Sequence, residues 1–259
     1  MLFPSLSLGA LFPLFISTLA SPLPTPEESN LVKKGTSLNE FLSILLDHLP
    51  AINDTINAAS SIITDLDSVL ADLAGLQTTY NELGSGSCTE YTVLFARGTS
   101  EPGNVGVLVG PPLFLALQNH ISSSDLTIQG VNNYAASVEG YLEGGDPSGS
   151  AEMSSQIESV YSTCPNTKLI VSGYSQGCQI VHNAVAKLPA ATASWISSVL
   201  LFGDPDDGQP LPNVDSSKVH TVCHDGDYIC QDGIFILLPH LTYAEDVSSA
   251  ASFAIQTSS

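Results

Sequence analysis

The sequence predicts an α/β fold in which a parallel sheet is covered by helices on both faces, preceded by a separate helical segment. Short apolar runs rich in β-branched residues alternate with segments of helix length through the last two thirds of the chain. The candidate strands are 91–96, 126–131, 168–172, 196–202 and 218–222. The candidate helices lie near 104–120, 150–162, 176–188 and 243–254. Because such alternation favours a parallel sheet between two helical layers, we expect a compact three-layer sandwich.

The composition supports a sizeable folded domain and argues against some partners. Of the 259 residues, 43% are hydrophobic, which is enough for a buried core. The chain has 6 Lys and Arg residues against 26 Asp and Glu residues, a formal net charge of -20. An acidic protein repels the phosphates of nucleic acids and anionic membrane surfaces, so we expect neither as a partner. We interpret the acidity as an aid to solubility, and we expect a monomer.

The first 36 residues have the features of an export signal and a spacer. Residues 1–20 contain an apolar run from Leu6 to Leu19, and small residues precede Ser21 at the predicted cleavage point. The run is too short for a confident membrane span, and a Pro-rich spacer follows over 21–36. We therefore expect a secreted, extracellular protein without integral membrane association.

Residues 37–86 are predicted to form a helical segment of their own. Leucine and isoleucine recur at spacings of three and four, with a break in the middle, which indicates two amphipathic helices. A flexible joint at 83–87 places a domain boundary there, and the catalytic domain is assigned to 87–259. Two interpretations stay open for the helices. They either pack permanently on the catalytic domain or act as a lid or pro-segment, with Ser85-Gly86-Ser87 as the hinge.

The chain is organised around the pentapeptide Gly173-Tyr174-Ser175-Gln176-Gly177. An apolar strand pattern precedes it and a helical pattern follows it, which is the context of a nucleophile elbow. At such a sharp turn the strand and the helix pass close together, and only glycine avoids a clash at the two flanking positions. Ser175 would then project from the C-terminal end of the strand as a nucleophile.

A serine hydroxyl needs a base to accept its proton, and the base needs an acid to orient it. The downstream histidines are His182, His220, His224 and His240. The first two fall on a helix and a strand, whereas His240 follows an apolar loop that ends in a proline, so we favour His240 over its main rival His224. The acid candidates are Asp204, Asp206, Asp207, Asp225 and Asp227. Asp227 suits the role because it lies between two cysteines, but the residues alone leave this choice open.

An oxyanion hole needs two hydrogen-bond donors near the nucleophile. The first expected donor is the main-chain N–H of Gln176, which follows the nucleophile. The second is expected from the turn-rich loop after the first strand of the sheet, where Thr99 offers both an N–H and a hydroxyl.

Five cysteines allow at most two disulfides and leave one thiol. Cys223 and Cys230 bracket a short polar loop, while Cys88 and Cys164 each precede a strand and could meet if those strands are neighbours. Cys178 would then be a small buried thiol. It shares a helix face with His182, but two ligands do not make a metal site, and we expect neither a metal nor another cofactor.

The segment from Cys88 to about Tyr243 resembles the fungal cutinases, lidless α/β-hydrolases that include acetylxylan esterases. The resemblance rests on FARGTSEPGN, CPNTKLIVSGYSQG and CHDGDYICQDGIFILLPH. It implies the α/β-hydrolase fold, Ser175 as nucleophile, Asp227 as acid, His240 as base, and Thr99 with Gln176 as oxyanion donors. It also implies the disulfides Cys88–Cys164 and Cys223–Cys230. This chain departs from the family pattern at Thr99, where serine is more usual, at Asp232, where glycine is common, and in its long helical N-terminal segment.

The sequence thus predicts a secreted carboxylic-ester hydrolase of cutinase type that acts on cutin-like polyesters and short acyl esters. The residues expected to contact an acyl chain are Tyr174, Ile234, Ile236 and Leu241, with Phe235 and Leu238 beside them. An acetylxylan esterase is the alternative within the family, and a non-catalytic secreted binder that keeps the fold is the alternative outside it.

Overall fold

The computed structural model describes residues 36–84 and 86–258, all within one compact unit, Gly35–Ser259. The predicted export signal and nearly all of the predicted spacer lie outside the described residues. Within those residues the strands are β1 (Asn53–Thr55), β2 (Tyr91–Ala96), β3 (Leu126–Gly130), β4 (Lys168–Tyr174), β5 (Ser198–Phe202), β6 (Val219–Val222) and β7 (Phe235–Leu237). The helices are α1 (Leu38–His48), α2 (Ile56–Ala74), α3 (Gly110–Gln118), α4 (Val138–Leu142), α5 (Pro147–Thr163), α6 (Gln176–Lys187), α7 (Ala190–Trp195) and α8 (Val247–Thr257).

Five strands form one parallel sheet in the order β3-β2-β4-β5-β6. β2 and β4 lie side by side with Tyr91 opposite Lys168 and Ala96 opposite Gly173. Every residue of β2 and β5 is buried, as expected for strands covered on both faces. The predicted α/β-hydrolase sandwich is therefore confirmed, and all five predicted strands lie within two residues of their observed bounds.

The two faces of the sheet carry separate hydrophobic clusters, because successive side chains of a strand point to opposite faces. Val93 and Phe95 of β2 pack in the cluster that contains α1, α2, α3 and α8. Leu94 and Ala96 pack in the cluster that contains α5, α6 and α7. No helix among residues 36–84 and 86–258 is both long and apolar enough to cross a bilayer.

The predicted helical segment forms α1 and α2, joined by β1. Ser37 caps α1 by accepting a hydrogen bond from the Glu40 N–H at 3.3 Å, and Gly75 ends α2 in a left-handed conformation with φ 60°. β1 pairs antiparallel with β7, with Asn53 opposite Leu237. The sequence reading missed both of these three-residue strands. Their pairing joins the N-terminal segment to the residues just before His240.

The linker after α2 runs along the outer edge of β3. The Gly130 N–H donates to the Tyr80 carbonyl at 3.0 Å, and the Glu82 N–H donates to the Ile128 carbonyl at 3.3 Å. Asn104 adds hydrogen bonds from its side chain to Tyr80 at 2.9 Å and to Asn81 at 3.1 Å. The linker up to residue 83 is therefore bound to the sheet, and the predicted joint is not a free hinge along its whole length.

Both predicted disulfides are present. Cys88–Cys164 joins the segments that lead into the neighbouring strands β2 and β4, with Cα atoms 5.5 Å apart. Cys223–Cys230 closes the loop that carries Asp227. Cys178 is a buried free thiol, as predicted.

Candidate active site

Ser175 occupies a strained turn between β4 and α6. Its φ of 55° and ψ of -122° are rare for a residue with a side chain and are typical of functional turns. A Cβ on Gly173 would lie 2.4 Å from the Gly177 carbonyl oxygen, and a Cβ on Gly177 would lie 2.0 Å from the Ala96 carbonyl oxygen. Both glycines are therefore required by close main-chain contacts, as the sequence predicted.

His240 lies on a short 3-10 turn after β7, and its ring is hydrogen-bonded to Asp227. Its Nδ1 is 2.7 Å from Oδ2 of Asp227, and both side chains are almost completely buried. Since an ionised carboxylate only accepts hydrogen bonds, Nδ1 carries a proton and Nε2 of the neutral ring is left with a lone pair. The arrangement orients the imidazole as a base.

Asp227 is held in its ionised form. Burial alone would raise the pKa of Asp227, but the charge of His240 and hydrogen bonds from His240, Tyr243 and the Ile229 N–H outweigh it and lower the pKa. The Ile229 N–H donates to Oδ1 at 3.0 Å. The loop closed by Cys223–Cys230 thus presents a fixed negative charge to the imidazole.

Ser175 and His240 share neighbours. Tyr174, next to Ser175 in the chain, stacks on the His240 ring with centroids 5.1 Å apart, and its hydroxyl donates to the His240 carbonyl at 2.8 Å. The Ser175 N–H donates to the Phe202 carbonyl at 2.9 Å, and a Cβ on the adjacent Gly203 would lie 2.9 Å from Cε1 of His240. The structure therefore brings the predicted nucleophile, base and acid to one place at the carboxyl ends of the strands.

The other histidines have partners of their own. His182 Nε2 lies 2.9 Å from Asp204, and His220 stacks on Phe253. His224 is not a solvated loop residue, since its Nε2 lies 2.6 Å from Asp246 and its ring stacks on Tyr243. Asp204 is hydrogen-bonded to His182, and His224 is hydrogen-bonded to Asp246. Neither Asp204 nor His224 is therefore a candidate for the acid or the base beside Ser175.

Thr99 and Gln176 meet, as the oxyanion prediction requires. The side-chain amide of Gln176 donates to Oγ1 of Thr99 at 2.9 Å, so the proton of the Thr99 hydroxyl is free to be donated elsewhere. The Gln176 main-chain N–H opens α6, where first-turn N–H groups have no partner within the helix. These donors can stabilise a negative oxygen beside Ser175.

Glu101 holds the loop that carries Thr99. Its carboxyl group accepts hydrogen bonds from the main-chain N–H groups of Gly98, Val107 and Leu108 at 2.8, 2.9 and 2.9 Å. Burial raises the pKa of Glu101, although these three N–H groups and the charge of Arg97 oppose the increase. Sequence reasoning missed Glu101, since a buried glutamate in a polar turn gives no pattern.

The acyl-binding prediction needs a correction. Ile234 is 43% exposed, with Phe235 and Leu238 exposed beside it, but Tyr174, Ile236 and Leu241 are buried. Tyr174 supports His240, and Ile236 lies in the β1–β7 pair. As folded here, three of the four predicted substrate-binding residues belong to the interior of the protein.

Among the described residues, one group of side chains has the spacing of metal ligands. His182, Asp204 and Asp206 have ligand atoms within 4.8 Å of one another. The Asp204 carboxylate already accepts from the His182 ring and from the Asp206 N–H at 3.0 Å, which explains the cluster without an ion.

A serine at a strained strand-to-helix turn, beside a histidine bonded to a buried aspartate on a parallel sheet, defines the class of α/β-hydrolases. The family model described as Cutinase matches residues 87–258. The chain belongs to the cutinase family, and it is a carboxylic-ester hydrolase.

Similar proteins support this assignment. Cutinase cut1 of Trichoderma harzianum is 49% identical over 245 residues, which cover 94% of this chain and 96% of that protein. A Trichoderma reesei cutinase solved in complex with a C11Y4 phosphonate inhibitor is 51% identical, with a TM-score of 0.71, and the match covers 86% of this chain and 98% of that one. An acetylxylan esterase solved at 0.90 Å resolution is 21% identical with a TM-score of 0.56, over 67% of this chain and all of that one, and it shares the fold.

The N-terminal helical segment is not peculiar to this chain. The family match begins at residue 87, but the match to cutinase cut1 covers 94% of this chain and so includes most of the segment. The segment lies outside the part of the chain that the family model matches, as predicted, but cutinase cut1 shares most of it.

Proposed function

We propose that this protein is a secreted serine esterase that uses Ser175, His240 and Asp227 to hydrolyse cutin-like polyesters and short acyl esters. The observation that carries the proposal is the 2.7 Å bond between His240 and the buried Asp227, beside the strained Ser175. The two disulfides support export, because disulfides persist in oxidising compartments.

The proposed reaction has two halves. Nε2 of His240 takes the proton of the Ser175 hydroxyl as the oxygen attacks the ester carbonyl, and Asp227 stabilises the imidazolium that forms. The proton then passes to the leaving alcohol, which leaves an acyl group on Ser175. Water activated by the same imidazole releases the acid and restores the serine. The N–H of Gln176 and the hydroxyl of Thr99 hold the carbonyl oxygen while it is negative.

The proposed substrates follow from the exposed surface near the base. Ile234 before β7, Phe235 at its start and Leu238 after it expose apolar side chains along the segment that leads to His240. Such a surface suits acyl chains better than sugars, whose binding favours more polar and aromatic groups.

Three measurements test the activity and the nucleophile. Catalytic efficiency on p-nitrophenyl esters, cutin and acetylated xylan should rank the apolar esters first, and a preference for acetylated xylan would favour the esterase alternative. Ser175→Ala should reduce turnover by roughly 10⁴- to 10⁶-fold. A phosphonate probe followed by mass spectrometry should label Ser175, and an adduct at another residue would refute the assignment.

We further propose that α1, β1 and α2 act as a lid. The hydroxyls of Ser60 on α2 and Ser100, next to Thr99, are 2.7 Å apart, and β1 pairs with β7 just before His240. Ser175 is 3% exposed and His240 is 2% exposed. These contacts support a closed state that an apolar interface would open by offering the helices another surface.

The lid proposal predicts that detergent micelles increase the rate on long-chain esters. Ser60→Lys, which places a charge at the contact with Ser100, should weaken this response, whereas Ser61→Lys at an exposed position of the same helix should keep it. An unchanged rate with and without micelles in the natural chain would leave the segment as structural packing.

A further inference from the structure

We propose that Tyr243 is a positioning residue for the reaction and that it fixes the direction in which Asp227 faces His240. The inference rests on the proposed roles of Asp227 and His240. The Tyr243 hydroxyl donates to Oδ2 of Asp227 at 2.6 Å, the same oxygen that accepts from His240 Nδ1 at 2.7 Å. With the Ile229 N–H on Oδ1, the carboxylate has three donors that define its plane.

The direction of the tyrosine proton follows from its other partner. The main-chain N–H of His224 donates to the Tyr243 hydroxyl oxygen at 3.1 Å. An N–H group can only donate, so the oxygen accepts there and its single proton points to Asp227, which can only accept. Burial and then the charge of Asp227 raise the pKa of Tyr243, so it stays a neutral donor throughout the working range of pH.

The Tyr243 ring is held from several sides. The His224 ring stacks on it with centroids 4.2 Å apart, and His224 is itself held by Asp246 at 2.6 Å and by the Pro239 carbonyl at 2.9 Å. A Cβ on Gly203, whose φ is 59°, would lie 2.7 Å from Cε2 of Tyr243. Gly203 therefore leaves room for the two rings, Tyr243 and His240, at the same point.

Oδ2 of Asp227 accepts hydrogen bonds from both Tyr243 and His240, so these two donors share its negative charge. The titratable groups around Tyr243 are Asp227, His240, His224 with Asp246 behind it, Tyr174 and Cys178. Among them, Tyr243 is the neutral group whose hydroxyl donates to Oδ2 and so reduces the negative charge that this oxygen presents to His240. Without its hydroxyl, Oδ2 would attract the imidazolium of His240 more strongly, and the carboxylate would be free to tilt about its remaining bonds.

Tyr243→Phe tests the proposal because it removes the hydroxyl and keeps the ring. We expect kcat on a short p-nitrophenyl ester to fall by roughly 10-fold, the effect of losing one hydrogen bond to a charged group, with KM unchanged. We also expect the decrease of kcat at low pH to begin at a higher pH in this variant, because Oδ2 would attract the imidazolium of His240 more strongly. Tyr91→Phe is the matched control, since its hydroxyl accepts from Lys168 at the opposite end of the sheet.

A second variant guards against an unstable Tyr243→Phe protein. His224→Ala keeps the main-chain N–H and the tyrosine hydroxyl but removes the stacked ring, so kcat should fall by a smaller factor, again with KM unchanged. The proposal for Tyr243 would be overturned if the folded Tyr243→Phe protein kept the natural kcat and the natural pH dependence of kcat, and if Ser175→Ala and His240→Ala were inactive. If those two variants were active, the proposed triad itself would fail.

Discussion

Replacing Asp67 with asparagine should stabilise the folded protein, and the gain should increase with pH. Asp67 lies on α2, is 1% exposed, and neither of its carboxyl oxygens has a hydrogen-bond partner among the described residues. Burial first, and then the charge of Glu101, raise the pKa of Asp67 well above its ordinary value. The side chain is therefore a buried acid that is costly to ionise.

The sign follows from comparing the folded and unfolded states. A carboxyl group with a raised folded pKa costs no stability below its unfolded pKa, and its cost grows as pH rises towards the folded value. An asparagine at this position would not ionise, so the Asp67→Asn variant would avoid this cost. Each unit of the pKa difference corresponds to about 1.4 kcal/mol. Asparagine at this site also has buried polar atoms, so the expected gain, on the order of 1–3 kcal/mol at pH 8, comes from the avoided ionisation alone.

Thermal unfolding between pH 4 and pH 8 measures the effect. For a chain of this size, the gain corresponds to an increase in Tm of roughly 2–4 °C per kcal/mol at high pH and little change near pH 4. Asp72→Asn is the matched control, because Asp72 is an exposed carboxylate on the same helix. The reasoning would be refuted by a gain that does not depend on pH, or by the same gain in Asp72→Asn.

Three further outcomes are expected. Gly177→Ala should abolish activity and lower Tm, because its Cβ would lie 2.0 Å from the Ala96 carbonyl oxygen; a folded, active variant in circular dichroism and ester assays would contradict this. Cys178, whose pKa burial raises, should resist alkylation until the protein unfolds, and peptide mapping that finds it in a disulfide would refute the pairing. Burial opposes protonation of His182, but Asp204 outweighs it and raises the pKa of His182, so the pair stabilises the fold at low pH and loses that contribution as pH rises. Asp204→Asn should therefore cost more stability at pH 5 than at pH 8 in urea titrations, and an equal cost at both would contradict it.

The sequence predicted the sheet and the arrangement around Ser175 because those features depend on local patterns. The apolar run before Gly173 and the helical spacing after Gly177 specify the turn without reference to distant residues. The disulfide loop around Asp227 was equally visible, since two cysteines seven residues apart bracket it. Only the resemblance to cutinases selected Asp227 among the available acids.

The missed features depend on contacts between distant parts of the chain. The polar run Asn53–Thr55 gives no strand signal, and it becomes β1 only because β7 offers a partner. Tyr243 shows in the sequence only as an aromatic residue near His240, and its hydroxyl reaches Asp227 across 16 positions. Tyr174, Ile236 and Leu241 are large residues near the nucleophile or the base, and proximity in sequence does not tell whether a side chain faces substrate or the core.

The position of the linker along β3 has a consequence for self-association. β3 is an end strand of the sheet, and an uncovered end strand can pair with the same strand of another molecule. In the folded protein, the Tyr80 carbonyl and the Glu82 N–H are hydrogen-bonded to main-chain groups of β3, at Gly130 and Ile128. A shortened protein that began at residue 87, where the common family domain begins, would present this edge to solvent and should form intermolecular sheet and precipitate on concentration. The linker therefore covers a sheet edge that could otherwise pair with another molecule, a role separate from catalysis.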